Sequence, residues 1–257
     1  MVTIDQELCI GCGACAADCL KLNIAVTDGK AAAKEDCLLC GHCVAICPAG
    51  AVSIPAYDMA DVEPCAKGGL DPEAVLRAIK SRRSIRSYKP EQVSRETLEM
   101  LAQAGRYTAT AKNNQGCRFV FVQEELEALK EQVWGFIDQL EGDVPTELQP
   151  YVAFNQRRKA DPADDYLFRN APAVLFITSD WPLDAGLAAQ NVETMAAALG
   201  MGALFNGYLA RIAELNKPLK AWLGVEDTRI KACLLLGYPD RQYQRTAPRK
   251  PANVIWK

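Results

Sequence analysis

The chain has 257 residues, with 29 basic and 32 acidic side chains and a formal net charge of -3. This balance argues against a nucleic-acid or anionic-membrane partner, because both select strongly basic surfaces. No apolar run approaches the roughly 20 residues that span a bilayer, and no signal peptide opens the sequence. We therefore expect a cytoplasmic protein that is long enough for two domains.

The first 50 residues contain one cysteine spacing twice, C-x2-C-x2-C-x3-C. The first run is Cys9, Cys12, Cys15 and Cys19, and the second is Cys37, Cys40, Cys43 and Cys47, which is followed by Pro48. The pattern resembles bacterial-type two-cluster ferredoxins, in which the fourth cysteine of each run binds the other cluster. We expect two [4Fe–4S] clusters, one on Cys9, Cys12, Cys15 and Cys47 and one on Cys37, Cys40, Cys43 and Cys19.

Two other uses of these cysteines fit less well. A zinc site typically uses two C-x2-C pairs rather than two such quartets. A disulfide framework requires an oxidising compartment. One position departs from the ferredoxin pattern: Leu20 stands where a proline follows the fourth cysteine, which predicts altered packing and potential for the cluster on Cys19. His42 is expected to be an exposed loop residue.

Local patterns predict a small ferredoxin-like domain over residues 1–56. Short strands are expected at 2–4, 24–26 and 51–54, with a turn at Asp28-Gly29. So short a segment has little core of its own, so cluster binding is expected to organise its fold. Residues 57–70, with Pro64, Gly68 and Gly69, have the composition of a linker.

The next 70 residues alternate helical and strand patterns. Asp71-Pro72-Glu73 predicts a helix start, with an N-cap, a proline in the first turn and an acid behind it. Ser94 predicts the cap of a second helix that ends near Gly105. A polar loop is expected at 108–116, a buried strand at 118–123 and a helix at 124–140.

The remaining chain predicts two more buried strands, at 173–178 and 230–236. Residues 141–170 are expected to form loops with one or two helices. Asp184 is a candidate cap for a long helix to Leu199, and a short helix is expected at 218–223. The tail from Gly237 is basic and ends in apolar residues. Such a tail often lies across a second subunit, which predicts a homodimer.

Four segments of this part carry a family resemblance. They are Arg-Arg-Ser-Ile-Arg at 82–86, Ala-Thr-Ala-Lys-Asn-Asn-Gln at 109–115, Leu-Gly-Met-Gly at 199–202 and Leu-Leu-Gly-Tyr-Pro at 235–239. Their order and spacing resemble the FMN-dependent nitroreductase family over residues 71–257. The resemblance implies an α+β flavin domain, a mixed sheet flanked by helices, in a dimer.

The resemblance also implies the flavin contacts. The positions that contact the phosphate and ribityl groups are matched by Arg82, Arg83, Ser84 and Arg86. A loop that reaches FMN from the other subunit is matched by Thr110, Asn113 and Gln115. A turn whose backbone N–H faces flavin N5 is matched by Asn206 and Gly207. Residue chemistry independently favours Arg82, Arg86 and Arg249 for the phosphate, because it needs fixed cations. The arginines could instead be solvated charges at a helix end, and Asn113 an ordinary turn residue. No catalytic side chain is evident.

Two positions depart from the family pattern. Gly116 stands where a proline is usual, and Cys117 stands where an aromatic residue is usual. The pocket over the flavin is therefore expected to differ in shape, and no substrate is transferred from the family. Cys65, Cys117 and Cys233 are expected to be ordinary core or loop residues.

The predicted function is an FMN-dependent oxidoreductase fed through two internal clusters. The electrons would come from an external low-potential donor, a ferredoxin or NAD(P)H, and go to a small acceptor such as a nitroaromatic, quinone or activated alkene. One alternative is an electron-transfer module that relays electrons between proteins without a small substrate. Another is a flavin-binding sensor, since fold does not fix function.

Overall fold

The computed structural model describes residues 1–65, 69–140 and 144–257. It divides into two compact units, Met1–Gly69 with Lys112–Asn114, and Leu70–Ala111 with Gln115–Lys257. The predicted linker at 57–70 contains a short 3-10 turn at Met59–Asp61, and its residues 66–68, including Gly68, lie outside the described ranges.

The first unit consists of short strands and two short helices. They are β1 (Thr3–Ile4), α1 (Ala14–Ala17), β2 (Ile24–Thr27), β3 (Lys30–Ala33), α2 (His42–Ile46) and β4 (Val52–Ser53). β1 pairs with β4 and β2 with β3, both antiparallel. Asp28 and Gly29 join β2 to β3 with φ of 52° and 72°, and two positive φ angles are what a tight two-residue hairpin requires. The three strands and the turn confirm the sequence predictions, and β3 was not predicted.

The internal repeat of the sequence is visible in the backbone. Gly13 and Gly41 precede the two helices and have the same left-handed conformation, φ 77° and ψ -3°. Glycine adopts this conformation without steric cost. The core of the unit contains Cys9, Cys15 and Cys43 together with six small or aliphatic residues. A core so dependent on cysteines is consistent with a fold organised by its clusters.

The second unit contains one sheet and seven helices among its described residues. The elements are α3 (Pro72–Ser81), α4 (Arg95–Arg106), β5 (Arg118–Val122), α5 (Leu126–Asp138), α6 (Gln149–Ala160), β6 (Ala173–Thr178), α7 (Pro182–Ala198), β7 (Gly202–Phe205), α8 (Gly207–Leu215), α9 (Lys217–Trp222) and β8 (Ile230–Gly237). The strand order is β5-β6-β8-β7, with every neighbouring pair antiparallel. A parallel bridge between Ser84 and Ala203 adds the mixed character. The predicted α+β class is confirmed.

Helices cover both faces of this sheet. Strand β6 turns Leu175 and Ile177 toward the core shared with α4 and α7. Its Val174 and Phe176 belong to the opposite core, shared with α5, α6, α8 and α9. Because β6 is buried on both faces, it appears in the sequence as a continuous apolar run.

Several local predictions are confirmed by hydrogen bonds. The Asp71 carboxylate accepts from the backbone N–H of Glu73 and Ala74 at the start of α3. Ser94 Oγ accepts from Thr97 N–H at the start of α4. The expected buried strand at 118–123 is β5, but most of its residues are only half-buried, because β5 is an edge strand. No helix among the described residues is long and apolar enough to cross a membrane.

Candidate functional site

Two small cavities in the first unit are each lined by four cysteines. One contains Cys9, Cys12, Cys15 and Cys47, and the other contains Cys19, Cys37, Cys40 and Cys43. In each set the fourth cysteine of one run meets the first three of the other run. These are the two sets that the spacing predicted, and their role as cluster ligands stays a prediction.

The surroundings of these cysteines suit iron–sulfur chemistry. Four backbone N–H groups donate to cysteine sulfur at 3.3–3.4 Å: Ala31 to Cys9, Asn23 to Cys19, Leu39 to Cys37 and Ala51 to Cys47. Such donors stabilise the negative charge of thiolate and cluster sulfur. No three histidine, cysteine or acidic side chains in the described ranges converge on a single metal ion.

The second unit contains a cavity of about 560 Å³ at the N-terminus of α8. Its lining brings together three of the predicted flavin contacts, Arg86, Asn206 and Gly207. Ser84 lies on the same segment as Arg86 and bridges to Ala203, which adjoins the lining residue Leu204. Two segments that are distant in the sequence, and that were predicted separately, thus line the same cavity.

Asn206 shapes this cavity through its own hydrogen bonds. Its backbone N–H donates to Cys233 O at 2.8 Å, and its Nδ2 donates to Leu167 O at 2.7 Å. Its Oδ1 caps α8 by accepting from Leu209 N–H at 3.0 Å. The backbone N–H of Asn206 is therefore engaged and does not match the predicted donor to flavin N5. The N–H groups of Gly207 and Tyr208 have no partner among the described residues, as is usual in a first helical turn.

Arg82 forms a buried ion pair. Its Nη1 lies 2.7 Å from Glu193 Oε1, with side chains 27% and 3% exposed. Gln190 Nε2 also donates to Glu193, at 3.1 Å. Because a buried carboxylate already balances this guanidinium, Arg82 contributes less net charge toward a phosphate than the sequence suggested.

Arg83 is held on the end of α3. Its Nε donates to Arg82 O at 2.6 Å and its Nη2 to Lys80 O at 3.2 Å. This is the helix-terminal use of a basic side chain. Arg249 is exposed and makes no hydrogen bond or ion pair within the part of the chain that the structure describes. Flavin contacts by Arg83 and Arg249 stay predictions.

The loop at 108–116 is fixed by bonds of its own. Thr110 Oγ1 accepts from Gln115 N–H at 3.0 Å, and the Asp184 carboxylate accepts from Ala111 N–H at 3.2 and 3.3 Å. Asn113, in the segment grouped with the first unit, donates through Nδ2 to the carbonyls of Leu38 and Leu39. Neither Thr110 nor Gln115 lines the cavity of its own chain.

Asp184 was predicted to cap a long helix, and this was wrong. Helix α7 begins two residues earlier at Pro182, with Trp181 as its N-cap. Asp184 is buried in the first turn, and its carboxylate serves the loop at Ala111 instead. A proline in the first turn was the better signal for the start of this helix.

Cavity residues that sequence reasoning missed come from scattered segments. They are Glu147, Tyr166, Arg169, Phe205, Tyr208 and Arg211. No common spacing links them, since the fold alone brings the start of α6, the turn before β6 and the first turns of α8 together. Arg211, one turn after Gly207 on α8, was the only one with a periodic relation to a predicted site residue.

The family assignment follows from comparison with known proteins. The model of the nitroreductase family matches residues 79–238, which is more than half of the chain. This chain belongs to the nitroreductase family. It is therefore a flavin-dependent oxidoreductase, with a 4Fe-4S dicluster domain matched at residues 1–48.

Relatives and solved structures agree with this assignment. A protein of Archaeoglobus fulgidus, provisionally named NADH dehydrogenase/NAD(P)H nitroreductase, is 28% identical over 178 residues, covering 65% of this chain and 86% of its own. A nitroreductase of Bacteroides fragilis with bound FMN has a TM-score of 0.58 and 22% identity, covering 71% of this chain and 97% of its own. An FMN-dependent nitroreductase of Clostridium difficile has a TM-score of 0.55 and 22% identity, covering 73% and 100%. At this identity the two structures establish the fold.

Proposed function

We propose that this nitroreductase receives electrons through two [4Fe–4S] clusters and passes them by way of FMN to a small organic acceptor. The observation that carries the proposal is the pair of four-cysteine cavities in a chain that also contains a flavin domain. A nitroreductase that took electrons only from a diffusible nicotinamide would have no need of the first unit. The clusters are therefore assigned as the electron entrance.

Each cluster is assigned four thiolate ligands. Cys9, Cys12, Cys15 and Cys47 would bind one cluster, and Cys37, Cys40, Cys43 and Cys19 the other. Support comes from the donor set, four sulfurs per cavity, and from the backbone N–H groups aimed at them. Eight ligand thiols also suit a reducing, cytoplasmic environment.

FMN is assigned to the cavity at the start of α8. The B. fragilis structure contains FMN and the C. difficile protein is described as FMN-dependent. Bound FMN supplies redox chemistry that can accept electrons singly and deliver a pair. Arg86 provides a cation at this cavity with no carboxylate partner in the described part of the chain, and the N–H groups of Gly207 and Tyr208 provide the positive end of α8. Together they would stabilise negative charge on the reduced ring.

The remaining predicted contacts are assigned to the dimer. Thr110, Asn113 and Gln115 would approach the flavin of the other subunit, and Arg249 would meet the phosphate beside Arg82, Arg83 and Ser84. Exposed apolar surface supports a second subunit: α3 buries none of its residues, and Ile255 and Trp256 in the tail are 80% and 90% exposed. A partner surface would remove this apolar area from water.

The electron donor is assigned by class. A low-potential ferredoxin would reduce the clusters, and NAD(P)H is the second candidate donor, because an M. smegmatis nitroreductase with a TM-score of 0.50 and 22% identity was solved with NADPH. A carrier without a substrate of its own is the alternative, and it predicts full cofactors without turnover of any small acceptor.

Cofactor content and turnover test this proposal together. The anaerobically reconstituted chain should contain roughly eight iron atoms, as two cubes require, and one FMN, and it should reduce nitrobenzene or a quinone with reduced ferredoxin. Cys37→Ser should lose about half of the iron, whereas Cys65→Ser, which changes an exposed cysteine outside both cavities, should lose none. Full iron without flavin, or full cofactors without turnover of any acceptor, would count against the proposal.

A further inference from the structure

The α8 cavity carries more positive charge than a neutral acceptor requires. Three arginines line it, Arg86, Arg169 and Arg211, against a single acid, Glu147. Across the described ranges, none of these three guanidinium groups lies within salt-bridge distance of a carboxylate. Other arginines of the unit do have a carboxylate partner, as Arg82 has in Glu193 and Arg118 in Asp227. If Arg86 serves the flavin, two cations remain unassigned.

Arg211 is anchored without being neutralised. Its Nη1 donates to the backbone carbonyl of Glu147 at 3.2 Å. It lies one helical turn after Gly207 on α8, so its charge adds to the unpaired N–H groups of the helix N-terminus at the same cavity. A carbonyl orients a guanidinium but leaves its charge available to an anion.

Arg169 is anchored in a different way. Its guanidinium carbon lies 3.9 Å from the ring centroid of Tyr166. Both Arg169 and Asn170 have left-handed backbone, φ 59° and 54°, and Asp165 holds this turn by accepting from both N–H groups, at 2.6 and 3.0 Å. A non-glycine residue in this conformation needs surrounding bonds to hold it. The turn therefore fixes a cation at the cavity wall.

Arg157 provides an internal comparison. Its guanidinium carbon also lies over the ring of Tyr166, 4.3 Å from the ring centroid. Unlike Arg169, however, Arg157 has a carboxylate partner, because its Nε donates to Asp164 at 2.8 Å. Arg157 does not line the cavity. Of the two arginines that stack on Tyr166, Arg157 has a carboxylate partner, whereas Arg169 at the cavity has none among the described residues.

We propose that Arg169 and Arg211 form a subsite for a carboxylate on the acceptor, so that the preferred acceptor is a planar organic anion. Tyr208 lines the same cavity, is 42% exposed and offers flat apolar surface to such a molecule, whereas the ring of Tyr166 carries Arg169. Guanidinium groups bind carboxylates with two parallel hydrogen bonds, which fixes orientation as well as charge. This inference rests on the proposed function and names its substrate class.

Equilibrium binding to the oxidised, FMN-loaded chain tests the subsite without turnover. The probes are 4-nitrobenzoate and its neutral analogue 4-nitrobenzamide, titrated calorimetrically. The wild-type protein should bind the anion about tenfold to a hundredfold more tightly, the factor that charge-assisted hydrogen bonds contribute. R169Q and R211Q should each abolish most of that preference and leave binding of the amide unchanged. R157Q, the matched control, should retain it.

Three outcomes would overturn the inference. The first is equal wild-type affinity for the two probes. The second is a loss of affinity for both probes alike in R169Q and R211Q. The third is weaker FMN retention in these variants with an unchanged probe preference, which would assign the arginines to the flavin phosphate. The proposed function fails separately, through missing cofactors or absent turnover, and neither result depends on the two arginines.

Discussion

Hydrogen bonding at single residues distinguishes Gly207 from its neighbour Asn206. The backbone N–H of Asn206 is engaged with Cys233 O, and its side chain caps α8. Gly207 begins α8, with no partner for its N–H among the described residues. We therefore predict an electrostatic role for the N–H of Gly207, whereas Asn206 holds the turn that positions it.

Replacing Gly207 by proline should remove this donor with little damage to the fold. Proline is favoured in the first helical position, where no intrahelical bond uses the N–H, and Asn206 has a non-helical backbone that tolerates a following proline. We expect the flavin midpoint potential to fall by about 30–60 mV, the two-electron equivalent of one hydrogen bond to a charged group. G207A is the matched control, because it keeps the N–H and its Cβ meets nothing within 4 Å. Equal potentials in G207P and G207A, measured by spectroelectrochemistry, would refute the role of this N–H.

Lys30 makes the two cysteine cavities electrostatically different. Its Nζ donates to the carbonyls of Gln6 and Cys9 at 2.6 and 2.7 Å, and no carboxylate pairs with it in the described part of the chain. Lys21, at the other cavity, is paired with Asp36 at 2.7 Å. Positive charge raises a cluster potential, so the cluster on Cys9 should have the higher potential. Leu20 is 84% exposed and lines the cavity of Cys19, and its effect on packing and potential there stays a prediction.

The Lys30→Met variant tests this asymmetry. Removal of the charge should lower the higher of the two cluster potentials by roughly 20–50 mV, as expected for a solvent-screened unit charge beside a one-electron centre. The other potential should stay unchanged. The double variant Lys21→Met/Asp36→Asn removes a balanced ion pair without changing the net charge, so it should shift neither potential by a comparable amount. Redox titration followed by electron paramagnetic resonance measures both, and two equal shifts in Lys30→Met would contradict the assignment.

At the scale of elements, α3 has an apolar face that its own chain does not cover. Val75, Leu76 and Ile79 are 37%, 55% and 61% exposed. The helix is nevertheless well capped, by Asp71 at its start. A stable helix with an uncovered apolar face is consistent with a dimer interface.

Charges placed on that face should dissociate the dimer. The double variant Leu76→Asp/Ile79→Asp would bury two unpaired carboxylates at an interface, which is strongly unfavourable. We expect a monomer in sedimentation velocity, with loss of bound FMN because the proposed flavin site includes Thr110, Asn113 and Gln115 of the other subunit. Lys80→Asp, on the same helix but at a charged position, should remain a dimer. A dimeric double variant would exclude α3 from the interface.

Elements encoded by neighbouring residues were predictable from the sequence. The caps at Asp71 and Ser94 depend on side chains within three residues of the N–H groups they satisfy. Strand β6 was predictable because both of its faces are buried, which makes five of its six residues apolar. In such cases the pattern that forms the element lies within the element itself.

Elements defined by tertiary contacts were not predictable. Strand β7 has four residues and exists through its pairing with β8. The N-cap of helix α8 is Asn206, whose side chain also donates to the carbonyl of Leu167, 39 residues earlier in the sequence. Asp184 was assigned to a cap because caps are local, whereas its actual partner is the backbone of Ala111. Long-range partners leave no periodic trace in the sequence.

At the scale of the whole molecule, one chain combines a cluster domain with a flavin domain. The two family matches cover residues 1–48 and 79–238. The cysteine quartets were predictable because ligand spacing is local to each loop. The flavin site was predictable only in part, because Arg86 and Gly207 belong to recognisable segments, whereas Arg169 and Arg211 reach the cavity through packing.

Electron transfer from the clusters to the flavin within the holoprotein is the central test. Reduced ferredoxin is mixed anaerobically with the reconstituted chain in a stopped-flow instrument, and cluster and flavin absorbance are followed together. We expect flavin bleaching to follow cluster reduction, and to slow at least tenfold in Cys37→Ser, a barrier increase of about 1.4 kcal/mol, but not in Cys65→Ser. Clusters that become reduced while the flavin stays oxidised, or equal bleaching rates in wild type and Cys37→Ser, would contradict an electron path through the clusters.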